Sequence, residues 1–143
     1  MPDKVDPRKH ARPLADVPAL VAEGARLFNE ARYWHAHEAW EEGWHALRAA
    51  ERPRTAAFLQ GLILATAALE NLRRGKADGF RRQLAQGLHH LRGNAGEGAA
   101  LGVAGEDALV EALLALHLDA SRRTRLAGLD ELGVKPPRIE IDG

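Results

Sequence analysis

Cysteine is absent from all 143 residues, which removes disulfides, thiolate metal ligands and cysteine nucleophiles and fits an intracellular chain. Net charge is lacking too. Twenty Lys and Arg balance twenty Asp and Glu, so no global field draws in a polyanion, and nucleic acid is not an expected partner. Aromatic residues make up only 5% of the chain, and with few β-branched residues they leave little material for a sheet. The longest apolar run, Leu62 to Leu69, is broken by Thr66 and falls far short of the ~20 residues of a membrane span. The first residues are polar, carry Pro2, Pro7 and Pro13, and read as neither leader nor anchor. These absences point to a soluble cytoplasmic protein with no membrane or nucleic-acid partner.

What is present is helix-forming material: Ala, Leu, Arg and Glu dominate nearly every segment. The hydrophobic fraction, 45%, suits one contiguous core. The expected architecture is all-α, a single domain over 1–143 built as an antiparallel bundle of four to five helices. Residues 1–15 are expected to be a flexible N-terminal segment. A first helix runs from Asp16, its carboxylate capping free amides and Pro18 in its first turn, to about Ala31. A second covers His35 to Ala49. After Pro53 a third, the most apolar, runs from Arg54 to Arg74 and is closed by Gly75; apolar on several sides, it belongs at the centre of the bundle. The fourth, Ala77 to Arg92, aligns Phe80, Leu84, Leu88 and Leu91 on one face. Five glycines between Gly93 and Gly105 predict a flexible loop, followed by a fifth helix from Glu106 to Ser121 that is open to extension as far as Leu126. The end, Gly133 to Gly143, carries Pro136-Pro137 and then Arg138-Ile139-Glu140-Ile141, an extended tail placed along the bundle or against a partner.

Chemistry concentrates on the second helix, Trp34-His35-Ala36-His37-Glu38-Ala39-Trp40-Glu41-Glu42-Gly43-Trp44. At 100° per residue, Tyr33, Ala36, His37, Trp40, Gly43, Trp44 and Leu47 share the core-facing side, with Glu41 at its border and Glu38 further round. His35, Glu42 and Ala39 turn toward solvent. A histidine and a carboxylate against an apolar face need a partner, and Gln60, the odd polar residue of the central helix, is the expected one. One reading makes His37, Glu41 and Gln60 a satisfied buried network that fixes how two helices meet. The other makes them, with Glu38, the lining of a pocket walled by Trp40 and Trp44.

His37 and Glu41, spaced i and i+4, can share a metal ion. The zinc pattern H-E-x-x-H is not completed, and Glu42 with His45 is the lone E-x-x-H match where a di-iron bundle needs two. No metal site and no cofactor is therefore expected, and a metal-binding protein stands as the last alternative. On the fourth helix His89 turns away from the leucine stripe and His90 sits at its edge beside Gln83. Arg73, Arg74, Arg81 and Arg82 cluster around the Gly75 turn, where they can hold a phosphate or carboxylate or simply suit a helix end.

Arg32-Tyr33-Trp34-His35-Ala36-His37-Glu38, then Glu41 and Trp44, and Phe58-Leu59-Gln60-Gly61-Leu62-Ile63 downstream resemble the bacterial and archaeal family catalogued as domain of unknown function 309, over about residues 25–92. The resemblance implies a small helical bundle and brings no established activity. It marks His37, Glu38, Glu41, Trp44, Gln60 and Gly61. It also implies a histidine near the end of the central helix and an asparagine after the next glycine, where this chain has Asn71 and Lys76; that departure weakens a histidine-based metal site. Two functions remain open from the sequence. One is a helical protein that binds a small polar ligand at His37 and Glu41, with enzyme activity undecided. The other is a structural or interaction module whose helix face or tail docks a partner or a second copy.

Overall fold

The computed structural model describes residues 11–123 and 137–142. Five helices, α1 (Val17–Asn29), α2 (Tyr33–Ala49), α3 (Pro53–Arg73), α4 (Ala77–Gly93) and α5 (Glu106–Ser121), follow one another in an all-α bundle. Pro53 begins α3 rather than merely preceding it, at the position where a missing N–H costs nothing. A short 3-10 turn, Leu14–Asp16, leads into α1. There the expected cap is not made: the Asp16 carboxylate accepts from Arg12 Nε at 3.0 Å, and no side-chain bond closes the helix start.

Three connections in a row close in the same way. Arg32 N–H donates to Leu27 O and Ala31 N–H to Phe28 O, both at 2.9 Å. Arg52 with Leu47 and Lys76 with Asn71 repeat the first of these bonds, at 2.9 and 2.8 Å. The pattern requires a left-handed residue, supplied by Ala31 (φ 61), Glu51 (φ 58) and Gly75 (φ 76). A side chain in that region costs about 1–2 kcal/mol. Ala31→Gly and Glu51→Gly are therefore each expected to stabilise the fold by roughly 0.5 kcal/mol, the relief being partly offset by the greater freedom of glycine in the unfolded chain. Urea denaturation checks this, and a lower midpoint in both variants would contradict it.

Helix α3 is central. It packs against α2 on one side and α4 on the other, with α1 on α2 and α5 on α4. Phe58, Leu59, Leu62, Leu69 and Leu72 are all buried along it. Counted with its scattered polar residues, α3 has the length and mean hydropathy of a membrane span, which the run from Leu62 to Leu69 does not show, but 67% of its most apolar stretch is buried within the bundle.

Two glycine pairings fix how closely the helices approach. Trp40 lies over Gly24, its Nε1 donating to Val21 O at 3.1 Å. Gly61 of α3 faces Gly87 of α4, where an added methyl on either would come within 2.9 Å of the other's carbonyl oxygen.

The glycine-rich connection is not the loose loop its composition predicts. It contains a second 3-10 turn, Glu97–Leu101, and strand β1, Val103–Ala104. Gly96 and Gly98 N–H both donate to the Glu106 carboxylate at 2.8 Å. Thr55 Oγ1 donates to Glu97 at 2.7 Å, and Leu101 and Val103 are buried. Within 137–142 the tail is extended and lies along the bundle, its strand β2 (Glu140–Ile141) pairing antiparallel with β1. Asn29 grips it from α1, accepting from Ile139 N–H at 2.8 Å and donating to Ile139 O at 2.9 Å. The rest of the expected tail, Pro136 included, lies outside the described residues, as do most of the expected N-terminal segment and the extension to Leu126.

Candidate functional site

Antiparallel packing decides which residues meet His37. Gly43, in the second half of α2, faces Leu59 near the start of α3. His37, earlier in α2, therefore faces the far end of α3, around Ala67, Glu70 and Asn71, and not Gln60. A cavity of about 220 Å³ opens there, lined by Tyr33, Trp34 and His37 of α2, by Ala67, Glu70 and Asn71 of α3 with the adjoining Arg74, and by Gln83 of α4.

Of the six residues expected at the site, only His37 lines this cavity. Its side chain is 19% exposed, and its ring stacks on Trp34 with centroids 5.4 Å apart and planes 5° from parallel. Nε2 is 3.5 Å from Glu41 Oε1, while Nδ1 is enclosed and has no hydrogen-bond partner among the described residues. Glu41 is half exposed, at the border of the face where the sequence puts it. Glu38 is exposed and lies 3.4 Å from His35 Nδ1. As expected, His35 and Glu42 face solvent.

The two tryptophans expected as walls stand elsewhere. Trp40 is wholly buried against Phe28, with its N–H satisfied by Val21. Trp44 is half buried, packed on the core's edge beneath the Arg48 guanidinium. Gln60 is half buried and makes no hydrogen bond among the described residues. The expected network of His37, Glu41 and Gln60 is therefore not formed. The wall is Tyr33 and Trp34, just upstream on the same helix.

A charged group that is not among the expected site residues, Glu70, also lines the cavity. Glu70 is 6% exposed and accepts from Arg73 at 2.8 and 2.6 Å and from Arg74 at 3.0 Å. The carboxylate held by these two arginines is thus the chain's own. The Arg73 hydrogen bond above all, with the charge of both guanidiniums behind it, holds the Glu70 carboxyl below the usual glutamate range against the opposing effect of burial. Its contribution to stability is complete at neutral pH and is lost as pH falls through that lowered pKa, because the unfolded chain takes up the proton first. Glu70→Gln is expected to cost about 1–3 kcal/mol at pH 7 and to flatten the acid limb of the stability profile. Thermal melts from pH 7 to pH 3 with unchanged acid sensitivity would contradict this.

Burial, then the Glu70 charge, pushes the Tyr33 phenol above its ordinary pKa, so at neutral pH it remains an O–H donor. Asn71 Nδ2 donates to Gln83 Oε1 and ties α3 to α4. Glu70 is the lone ionisable residue between Thr55 and Leu72, a signal that could have found it. Of the other expected arginines, Arg81 donates to Arg123 O at 2.9 Å, and Arg82 is exposed. Among the described residues no three of His, Asp and Glu converge to hold a metal ion.

Residues 21–82 match the model of a family described as Domain of unknown function (DUF309). No curated protein and no solved structure matches the chain. The matched stretch ends earlier than the 25–92 read from the motifs, and of the cavity's lining it omits only Gln83. The chain thus resembles that family of unknown function, through the stretch that builds nearly all of this cavity's wall.

Proposed function

We propose that the protein is a helical binding module for a small polar ligand, held between α2, α3 and α4 with His37 as its central contact. The observation that carries this reading is the His37 ring: it forms a cavity wall and stacks on Trp34, yet its enclosed Nδ1 bonds to nothing among the described residues. Leaving a buried polar atom unpaired costs about 1–3 kcal/mol, and the Nε2 edge of the same ring, which is not enclosed and is met only by half-exposed Glu41, is the part that a ligand reaches.

Three further features set the ligand class. The cavity, at about 220 Å³, is below the ~300–1,000 Å³ of drug-sized sites, so the ligand is small. Arg74 and Glu70, the two charged residues of the lining, pair with each other, so the wall carries balanced charge and favours a polar ligand over a strongly charged one. The Tyr33 phenol and the Asn71 and Gln83 amides supply neutral polar groups in the same wall. The reading includes no catalytic step, and it takes the protein to be cytoplasmic.

The structural alternative also has an observation in its favour, since the bond from Asn71 to Gln83 makes part of the wall a brace between helices. The two are separated by titrating the protein with acetate, inorganic phosphate and acetamide while following the Trp34 indole and His37 ring signals by NMR. The binding reading expects saturable shifts with at least one of the three probes at millimolar concentration, and none in His37→Ala. Absence of any saturable shift with all three probes would leave the cavity a gap in a brace.

A further inference from the structure

Among the described residues, two enclosed side-chain polar atoms lack a partner, His37 Nδ1 and His117 Nδ1. The second also belongs to a ring in a cavity wall, on the other side of the bundle. This cavity, about 580 Å³, lies between α4 and α5. Ala85, Leu88, His89 and Arg92 follow one another at helical spacing along α4 and form one wall; Leu114 and His117 of α5 form the other.

The wall divides by chemistry. Leu88 and Leu114 give it an apolar part and Arg92, His89 and His117 a part made of N–H donors, and no carboxylate lines it among the described residues. Arg92 is exposed and makes no ion pair among those residues. It therefore offers a permanently charged planar fork beside two imidazoles, each of which donates an N–H even when neutral. A neighbouring recess places Arg92 also beside Glu106, Asp107 and Glu111. Two of the Glu106 acceptor positions are already filled by Gly96 and Gly98 N–H.

We propose that the α4–α5 cavity binds a small carboxylate with a short hydrocarbon tail. The carboxylate meets the Arg92 guanidinium and an N–H of His89 or the Nε2–H of His117, the nitrogen of that ring that is not enclosed, and the tail lies against Leu88 and Leu114. A bare inorganic anion would leave the leucines unused, and a neutral hydrocarbon would leave the three donors unpaired. The proposal is independent of the His37 site, which lies on different helix faces and shares no residue with it.

The test is titration of the full chain with hexanoate, followed by NMR of the His117 ring and Leu114 methyls, with acetate and 1-hexanol as the charge-only and tail-only arms. Saturable binding of hexanoate is expected, with acetate and 1-hexanol each weaker by about tenfold or more. Arg92→Gln should weaken hexanoate by about tenfold, as loss of a charge-assisted contact does, and Arg92→Lys by less. Arg92 is exposed, so both variants keep the fold, which circular dichroism verifies. Four results would overturn the proposal: no saturable binding; 1-hexanol binding as well as hexanoate; unchanged affinity in Arg92→Gln, as expected if Arg92 turns to Glu111 and its neighbours; or shifts at Trp34 and His37 in place of His117.

Discussion

Trp40→Ala is expected to remove about 3–5 kcal/mol of stability, the range for deleting a large ring from a packed core. The ring has no exposed surface, packs on Phe28 at 5.9 Å between centroids, and ties α2 to α1 through its bond to Val21 O. Against a total of about 5–15 kcal/mol for an ordinary domain, that loss is a large share. The space Trp40 occupies is set by Gly24, where an added Cβ would fall 2.1 Å from Trp40 Nε1. Gly24→Ala alone should therefore be strongly destabilising, yet close to harmless once Trp40 is Ala, because the clash has gone. Urea denaturation of the two single variants and the double variant measures that coupling. A loss well under ~1 kcal/mol for Trp40→Ala would move the ring from the core to a pocket wall, one of the two places left open by its position on the core-facing side of the helix.

Gly87→Ala is expected to cost about 2–3 kcal/mol, although alanine is the better helix former by about 1 kcal/mol. The reason is what the methyl would meet: Gly61 O at 2.9 Å and Ala65 N at 3.1 Å, both backbone. Neither can move without shifting α3 away from α4, the central pair of the bundle. Gly93→Ala serves as the control, since a Cβ there meets nothing within 4 Å. Equal stability of the two variants would contradict the close approach of α3 and α4.

The helices were legible because their cause is local. Composition, proline at a helix start and a glycine after Arg74 act within a turn or two, and the predicted bounds of α5, Glu106 to Ser121, coincide with those found. What escaped was non-local. Nothing near the five glycines announces that Glu106 will gather the amides of Gly96 and Gly98, or that Asn29 will grip Ile139 across the bundle.

The site was half legible for the same reason. A helical wheel gives the direction in which His37 points, but its partner depends on the register of α2 against α3. Antiparallel helices with a short connection place the start of one beside the end of the other, which selects Asn71 and Glu70 over Gln60. The wheel also treated the core face as the pocket face. Trp40 at the middle of that face is sealed, while Tyr33 and Trp34, at the end of the helix, are where a cavity can open.

The proposal that His37 is held for binding, and not to join helices, stands or falls on the stability of His37→Ala. The substitution removes the stack on Trp34 and the pairing with Glu41, contacts of small worth because both partners are about half exposed, and it also removes a ring whose Nδ1 is buried unpaired. Urea denaturation at pH 7 should show a change of less than ~1 kcal/mol. A loss of about 3 kcal/mol or more, the size expected when a buried polar network is broken, would make His37 a structural brace and contradict the account.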